Sequence, residues 1–254
     1  MILDKFRLDG KNAIITGGNS GIGRSIAIAL AEAGANVVIA ARNEAKTMAV
    51  VKEIESLGRE ALGIKTDISL EGDVKNMIEV SIKNFDRIHI IVNSSGVFTT
   101  LPASEMTAGE WDRVMGVNLK GLFFCCRDIG KHMIACGGGK IINISSVLGF
   151  IGTSFVLPYS ASKGGIVQMT KCLAIEWARF NVYVNAIAPG WVETEMSEVA
   201  KSNESFFNKT IRAIPLRRWG QPDEMAGMAI YLASDASSYV TGQTFLVDGG
   251  ITIL

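Results

Sequence analysis

The tightest constraint in this sequence lies near its start, where an apolar strand runs through glycines into a helix. Asn12–Thr16 is short and β-branched, Gly17-Gly18-Asn19-Ser20-Gly21-Ile22-Gly23 follows without a break, and residues 24–33 have a helical pattern closed by Gly34. Strand, glycine loop and helix in that order are the context in which a dinucleotide fingerprint has physical meaning. The glycines permit a tight turn and a close backbone approach, and the helix N-terminus offers amide N–H groups to a pyrophosphate. The spacing here is G-x-x-x-G-x-G, so the generic G-x-G-x-x-G pattern is met only in part. An ordinary glycine-rich connection has the same composition; the flanking strand and helix favour cofactor binding.

The alternation continues. Asn36–Ala41 predicts a second strand, followed at once by Arg42-Asn43. A helix over 44–57, a strand over 61–66 ending at Asp67, a helix over about 70–84 and a strand over 88–92 come next. The last of these ends in the polar turn Asn93-Ser94-Ser95-Gly96. This order predicts an α/β fold: a Rossmann-type doubly wound parallel sheet with helices on both faces. With 254 residues, 48% of them hydrophobic, the chain can bury one large core. It shows no internal repeat or linker, so residues 1–254 read as a single domain.

In the second half, 109–135 reads as one long helix with Asn118 inside it. The glycines at 137–139 mark a loop, and the strand over 140–144 ends in Ser145-Ser146. A helix over 159–180 and a strand over 182–187 lead to Ala188-Pro189-Gly190-Trp191-Val192-Glu193-Thr194. Residues 195–214 are polar with Phe206 and Phe207 embedded, which predicts a mobile lid. A helix near 223–233 and a strand over 243–247 end in Asp248-Gly249-Gly250.

Tyr159 and Lys163 are four apart at the start of a helix, so they share one face. A free phenol has a pKa of about 10, too high for efficient acid–base work near neutrality. A neighbouring ammonium favours phenolate and is expected to bring that pKa down. The pair alone also fits two surface side chains, and only the rest of the pattern gives it weight.

Several function classes are excluded. The 25 basic and 25 acidic residues balance to a formal net charge of +0, with no long block of one sign, which argues against nucleic acid and anionic membranes. Cys125, Cys126, Cys136 and Cys172 form no C-x-x-C and no His cluster accompanies them, so a reduced, metal-free, cytoplasmic protein is expected. The first residues are charged and lack an apolar signal core, and no apolar stretch reaches membrane-spanning length. His89 and His132 fall in a strand and a helix and read as structural. Cys125 and Cys126 read as packing residues. Trp177 and Trp191 fit either core or pocket.

Taken together, Thr16-Gly17-x-x-x-Gly21-x-Gly23, Asp67, Asn93-Ser94-Ser95-Gly96, Asn118, Ser146, Tyr159-x-x-x-Lys163, Pro189-Gly190 and Asp248-Gly249-Gly250 resemble the short-chain dehydrogenases/reductases over essentially the whole chain. The family's usual Asn-Asn-Ala-Gly turn is Asn93-Ser94-Ser95-Gly96 here. Ser146, not Ser145, has the family's thirteen-residue spacing to the tyrosine.

The resemblance implies an oxidoreductase that interconverts a ketone and a secondary alcohol by hydride transfer. In this reading Tyr159 is the general acid or base. Lys163 lowers its pKa and binds the nicotinamide ribose, Ser146 bonds the substrate oxygen, and Asn118 holds a water in a proton relay. Gly17, Asn19, Ser20, Gly21, Ile22 and Gly23 form the phosphate loop. Asp67 and Ile68 match the adenine turn, and Asn93 and Gly96 the turn beside the cofactor. Pro189, Gly190, Val192 and Thr194 match the carboxamide segment.

An acid is missing from the end of the second strand, where one would bind the ribose of NAD. Arg42 stands there instead and suits a 2′-phosphate, so NADP(H) is expected to be preferred, with NAD(H) possible. The partner is a small carbonyl or alcohol. The stretches around Glu176-Trp177-Ala178-Arg179 and Val184–Trp191 are similar to sugar-acid and polyol dehydrogenases of the gluconate type. Overall length and motif order fit 3-oxoacyl-carrier-protein reductases equally well, although the glycine run before Lys140 offers little positive charge to an acidic carrier. A non-catalytic nucleotide sensor is the reading of another class, and the intact Asn118, Ser146, Tyr159 and Lys163 set argues against it. Gly164 and Gly165 permit close helix packing, and the apolar Ile251-Thr252-Ile253-Leu254 suits a subunit contact, so a homotetramer is expected.

Overall fold

The computed structural model describes residues 1–253; Leu254, part of the apolar tail, lies outside the described residues. Seven strands form one parallel sheet: β1 (Asn12–Thr16), β2 (Asn36–Ala41), β3 (Ala61–Lys65), β4 (Ile90–Asn93), β5 (Gly139–Ile144), β6 (Val182–Pro189) and β7 (Thr244–Val247). Their spatial order is β3-β2-β1-β4-β5-β6-β7. The direction of winding reverses between β1 and β4, and a crevice opens beyond the carboxyl ends of strands at such a point.

Helices cover both faces, as a parallel sheet requires. In chain order they are α1 (Gly21–Glu32), α2 (Glu44–Ser56), α3 (Glu71–Phe85), α4 (Ala108–Met115), α5 (Leu122–Ala135), α6 (Leu157–Trp177), α7 (Glu198–Ser202), α8 (Glu204–Ala213) and α9 (Ala226–Ala233). Side chains alternate across each strand. Ala13 and Ile15 of β1 therefore pack with Ile26 and Leu30 of α1, Val51 of α2 and Leu232 of α9. Ile14 faces the other way, toward Met77 of α3, Ile129 of α5 and Ile166 of α6. Cys125 and Cys126 are buried in this second core, as packing residues should be, and so is Trp177.

Two local departures from the expected elements matter for the site. The helix expected over 109–135 is continuous in direction, but Gly116–Gly121 between α4 and α5 is a π-helical turn that contains Asn118. A Cβ at Gly121 would stand 2.6 Å from the Ile68 carbonyl, so glycine lets this turn press against the Asp67-Ile68 segment. The expected lid is three short helical pieces, Glu195–Ser197, α7 and α8. Phe206 packs edge-on against Trp191, Phe207 against Trp219, and Trp191 stacks on Trp219 with ring centroids 5.3 Å apart.

Buried polar groups tie the layers together below the crevice. Asn93 donates from Nδ2 to Asn143 Oδ1 at 2.9 Å, and Asn143 donates from Nδ2 to Thr170 Oγ1 at 3.0 Å. This chain links β4 and β5, which Ser146 follows, to α6, which carries Tyr159 and Lys163. At the opposite edge of the sheet, His89 Nδ1 accepts from the Asn12 amide and His132 Nε2 from the Ile88 amide, each at 3.1 Å. Both histidines are structural, as expected.

Candidate active site

The glycine loop is shaped by close contacts that no side chain would tolerate. Gly17 has φ 67°, and a Cβ there would lie 2.9 Å from Ser95 Cα; a Cβ at Gly23 would lie 2.3 Å from the Gly17 carbonyl oxygen. Thr16 Oγ1 accepts from the Ser94 and Ser95 amides at 3.2 and 3.4 Å, which fixes the 94–96 turn beside the loop. Ser20 precedes α1 in an extended conformation and makes no side-chain cap, so the first N–H groups of α1 face the crevice without an internal partner. A glycine cradle at an uncapped helix start suits a dinucleotide pyrophosphate.

The crevice is a cavity of about 440 Å³. It brings together Gly17, Asn19, Ser20, Gly21, Ile22, Gly23, Arg42, Asp67, Ile68, Gly96, Ser146, Tyr159, Lys163, Pro189, Gly190, Val192 and Thr194. Two expected site residues are not among the lining. Asn93 is buried, with its amide turned to Asn143 and Cys126. Its side chain therefore braces the sheet directly below the 94–96 turn that it begins. Asn118 lies behind the cavity wall, fully buried. Its Oδ1 accepts from the Val97 amide at 2.8 Å, and its Nδ2 donates to the Val97 carbonyl at 2.9 Å and to Ser162 Oγ at 3.2 Å.

At the inner end, Ser146, Tyr159 and Lys163 converge. Ser146 Oγ accepts from the Leu148 amide at 3.1 Å and lines the same end of the cavity as Tyr159. Lys163 is 4% exposed, and its Nζ donates to the Ile144 carbonyl at 2.8 Å and lies 5.4 Å from the Tyr159 ring centroid. Ser145 is structural as expected: its Oγ donates to the Lys163 carbonyl at 2.9 Å and holds α6 against the end of β5. Gly149 permits the same approach, since a Cβ there would lie 2.9 Å from the Lys163 carbonyl oxygen.

Electrostatics depart from the sequence expectation in one respect. Burial pushes the Tyr159 phenol above its ordinary value, and the nearby Ser146 hydroxyl opposes this only in part. Burial also lowers Lys163 to about 8. The ammonium is turned toward Ile144, and desolvation of the phenol outweighs its pull.

The cavity has lining residues beyond the motif positions. Phe98 stands edge-on to Tyr159 at 5.4 Å, and Val147, Leu148, Trp191 and Met196 are further apolar residues of the lining. Trp191 is thus both pocket and lid support. Lys46 and Glu195 also border the cavity, on helical turns whose facing sides the sequence does not reveal. The charged side chains on its lining are Arg42, Lys46, Asp67, Lys163 and Glu195. Lys140 stands at the amino edge of the sheet, with its Nζ 3.9 Å from the Tyr183 ring centroid and hydrogen-bonded to Ser237. The glycine loop before it is therefore remote from the cavity mouth and has no bearing on carrier docking there.

Comparison with known proteins agrees with this architecture. A family model described as Enoyl-(Acyl carrier protein) reductase matches residues 17–252. The chain is 39% identical over 251 residues to 2-dehydro-3-deoxy-D-gluconate 5-dehydrogenase of Escherichia coli (strain K12), covering 98% of each. It is 38% identical over 245 residues to a 3-oxoacyl-(acyl-carrier-protein) reductase of Chlamydia pneumoniae, covering 96% of this chain and 98% of the relative. Among solved structures, a gluconate 5-dehydrogenase from Burkholderia cenocepacia J2315 in complex with NADP and tartrate aligns at 39% identity with a TM-score of 0.97, covering 100% of both chains. Likeness sustained over almost the full length of each relative, on the same parallel sheet, means that this chain belongs to the short-chain dehydrogenase/reductase family.

Proposed function

We propose that the protein is an NADP(H)-preferring oxidoreductase that interconverts a ketone and a secondary alcohol on a small polar substrate of the sugar-acid or polyol type. The observation that carries this reading is the meeting of Ser146, Tyr159 and Lys163 at the inner end of a glycine-cradled cavity. Bound nicotinamide cofactor supplies or accepts the hydride. Gly17 to Gly23 and the start of α1 hold its pyrophosphate, and Arg42 receives the 2′-phosphate. Ser146 donates to the substrate oxygen and stabilises charge developing there. Tyr159, kept protonated by burial, delivers a proton to that oxygen in reduction and takes it back in oxidation. Lys163 holds the ribose and balances the phenolate when it forms. Asn118 fixes the Val97 backbone beside them and joins the proton relay. Residues 195–214 close over the substrate as a lid.

The substrate class is supported by the names of the relatives, several of which are gluconate-type dehydrogenases. Among the described residues that line the cavity, Lys163 is the cation beside Ser146 and Tyr159, so a sugar acid would turn its carboxylate toward solvent at the mouth. The alternative, reduction of a 3-oxoacyl thioester, is supported by the Chlamydia pneumoniae relative and by the apolar lining residues Phe98, Leu148 and Met196. The free cysteines fit a reducing cytoplasm, and among the described residues no helix is long and apolar enough to cross a membrane. A homotetramer is supported by exposed Phe123 on α5 and Ile175, 83% exposed, on α6. Light scattering that reports a monomer at micromolar protein would reject that assembly.

The deciding experiment mixes purified protein with NADPH or NADH and a panel of keto-sugar acids, ketoses and 3-oxoacyl thioesters. NADPH consumption with a keto-sugar acid or ketose is expected. Turnover should fall at least about a hundredfold in Tyr159→Phe, the scale of acid–base catalysis, with cofactor binding little changed. Activity confined to thioesters would favour the alternative, and near-normal turnover in Tyr159→Phe would sink the catalytic assignment.

A further inference from the structure

An ion pair spans the cavity between its two outer walls. Lys46 Nζ lies 2.8 Å from Oε1 and 2.7 Å from Oε2 of Glu195. Lys46 belongs to the wall that carries Arg42, and Glu195 directly follows Thr194 on the wall that carries Pro189 and Gly190.

Both side chains rise from anchored turns. The Lys46 amide donates to Asn43 Oδ1 at 3.0 Å, and Asn19 Nδ2 ties the Asn43 carbonyl to the glycine loop at 3.2 Å. On the other wall the Thr194 amide donates to Ser197 Oγ at 3.0 Å, and that hydroxyl donates to the Val192 carbonyl at 2.7 Å. The pair therefore has fixed bases and flexible ends.

The side chains are 47% and 66% exposed. An ion pair this open to water is worth little and is easily exchanged for a stronger partner. A phosphate monoester near neutral pH carries more charge than a carboxylate and offers more acceptor oxygens. The glycine loop provides no second cation, because Ser20 is uncharged, and Lys46 is the other cation bordering the Arg42 side of the cavity.

We propose that Lys46 is a second determinant of 2′-phosphate selectivity and that Glu195 is its built-in competitor, a proposal that rests on the cofactor reading above. A 2′-phosphate takes Lys46 from Glu195, whereas a cofactor with a free 2′-hydroxyl leaves the pair closed. The carboxylate thus lowers the preference for NADP(H) that Arg42 and Lys46 create, and cofactor type is communicated to the start of the lid.

Calorimetric titration of the purified protein with NADP+ and NAD+ tests this without any turnover. Lys46→Gln should weaken NADP+ binding about tenfold, the scale of one charge-assisted contact, and leave NAD+ within about twofold. Glu195→Gln should do the reverse for NADP+, tightening it about twofold to fivefold, the scale of an exposed ion pair, with NAD+ unchanged. In the Lys46→Gln background the Glu195→Gln gain should vanish, and raised salt should shrink it. Lys46→Arg, which keeps the charge, should retain most of the affinity. Unchanged NADP+ affinity in Glu195→Gln, or equal effects on both cofactors in either variant, would overturn the proposal. Wild-type protein that binds neither cofactor would instead remove the cofactor reading on which it stands.

Discussion

Val97 and Asn118 hold each other through both backbone groups of Val97: its amide donates to Oδ1 at 2.8 Å and its carbonyl accepts from Nδ2 at 2.9 Å. The asparagine reaches Val97 from the π-turn, and a third bond to Ser162 Oγ joins it to α6. One side chain thereby sets the spacing between the Gly96–Phe98 wall and the helix of Tyr159 and Lys163.

Replacing it should cost both stability and turnover. Asn118→Ala leaves the Val97 groups without their partner, at about 2–4 kcal/mol in total. For a chain of this size that is a fall in melting temperature of roughly 5–10 °C. The displaced wall should lower kcat about tenfold or more, since small errors in placement are costly in catalysis. Calorimetry and steady-state kinetics on the same preparation check both. A variant as stable and active as wild type would show that this bracing does nothing.

Arg42 gives the second expectation. It directly follows β2, its side chain is exposed, and it lines the cavity. One charge-assisted hydrogen bond is worth roughly 1.5–3 kcal/mol, or about ten- to a hundredfold in affinity. Wild type should favour NADP(H) over NAD(H) by about that factor in kcat/KM. Arg42→Asp should lose NADP(H) selectively, because a carboxylate repels the 2′-phosphate and accepts from a ribose hydroxyl. Equal losses for the two cofactors would show that Arg42 stacks on the adenine instead.

Much of the fold was legible because its parallel strands are buried on both faces and read as continuous apolar runs. Ile14-Ile15 and Val37-Val38-Ile39 are examples. The cavity's glycines, Ser146, Tyr159 and Lys163 were legible because each sits at a strand end or a helix start. What could not be read depends on rotation and depth. Asn93 and Ser94 are neighbours, yet the first turns into the sheet and the second lines the cavity. The π-turn adds a residue to one helical turn without any break in helical composition. Lys46 meets Glu195 across 149 residues of sequence, a pairing no local pattern announces. The Tyr159 pKa departs from what the spacing implies, because spacing shows that an ammonium is near but not that burial acts more strongly on both groups.

His89 gives a stability prediction at the far edge of the sheet. Burial, with smaller contributions from Arg87, Lys11 and His132, lowers its pKa from 6.5 to about 4. A depressed folded-state pKa means that the unfolded chain binds the proton first, so stability is full above 6.5 and is lost as pH falls toward 4. After allowance for water reaching the ring, this amounts to about 1–2 kcal/mol. His89→Asn keeps an acceptor for the Asn12 amide but does not titrate. Between pH 7 and pH 4.5 its melting temperature should fall by about 3 °C less than that of wild type. Identical slopes would mean that His89 binds its proton equally in the folded and the unfolded chain.

Turnover should carry its own pH signature, set at the other end of the molecule. In reduction Tyr159 must hold a proton, and burial keeps that proton on through the neutral range. Lys163 contributes its charge only below about 8, where burial places its pKa. As pH rises through that value the ammonium is lost, the phenolate left by proton transfer loses its counter-charge, and reduction slows. Oxidation starts from phenolate, which the charged Lys163 supports, so it should rise with pH up to about 8 and level off as the ammonium is lost. The inflections belong to the coupled pair and not to either residue alone. Rate profiles for both directions from pH 6 to 10 give the test, with Lys163→Arg as the control. A guanidinium stays charged throughout, so in the variant the downturn of reduction near pH 8 should disappear and only the ionisation of Tyr159 itself remain. A reduction profile that stays flat in wild type to pH 9.5, or a downturn that persists in Lys163→Arg, would show that Lys163 is not the group being titrated.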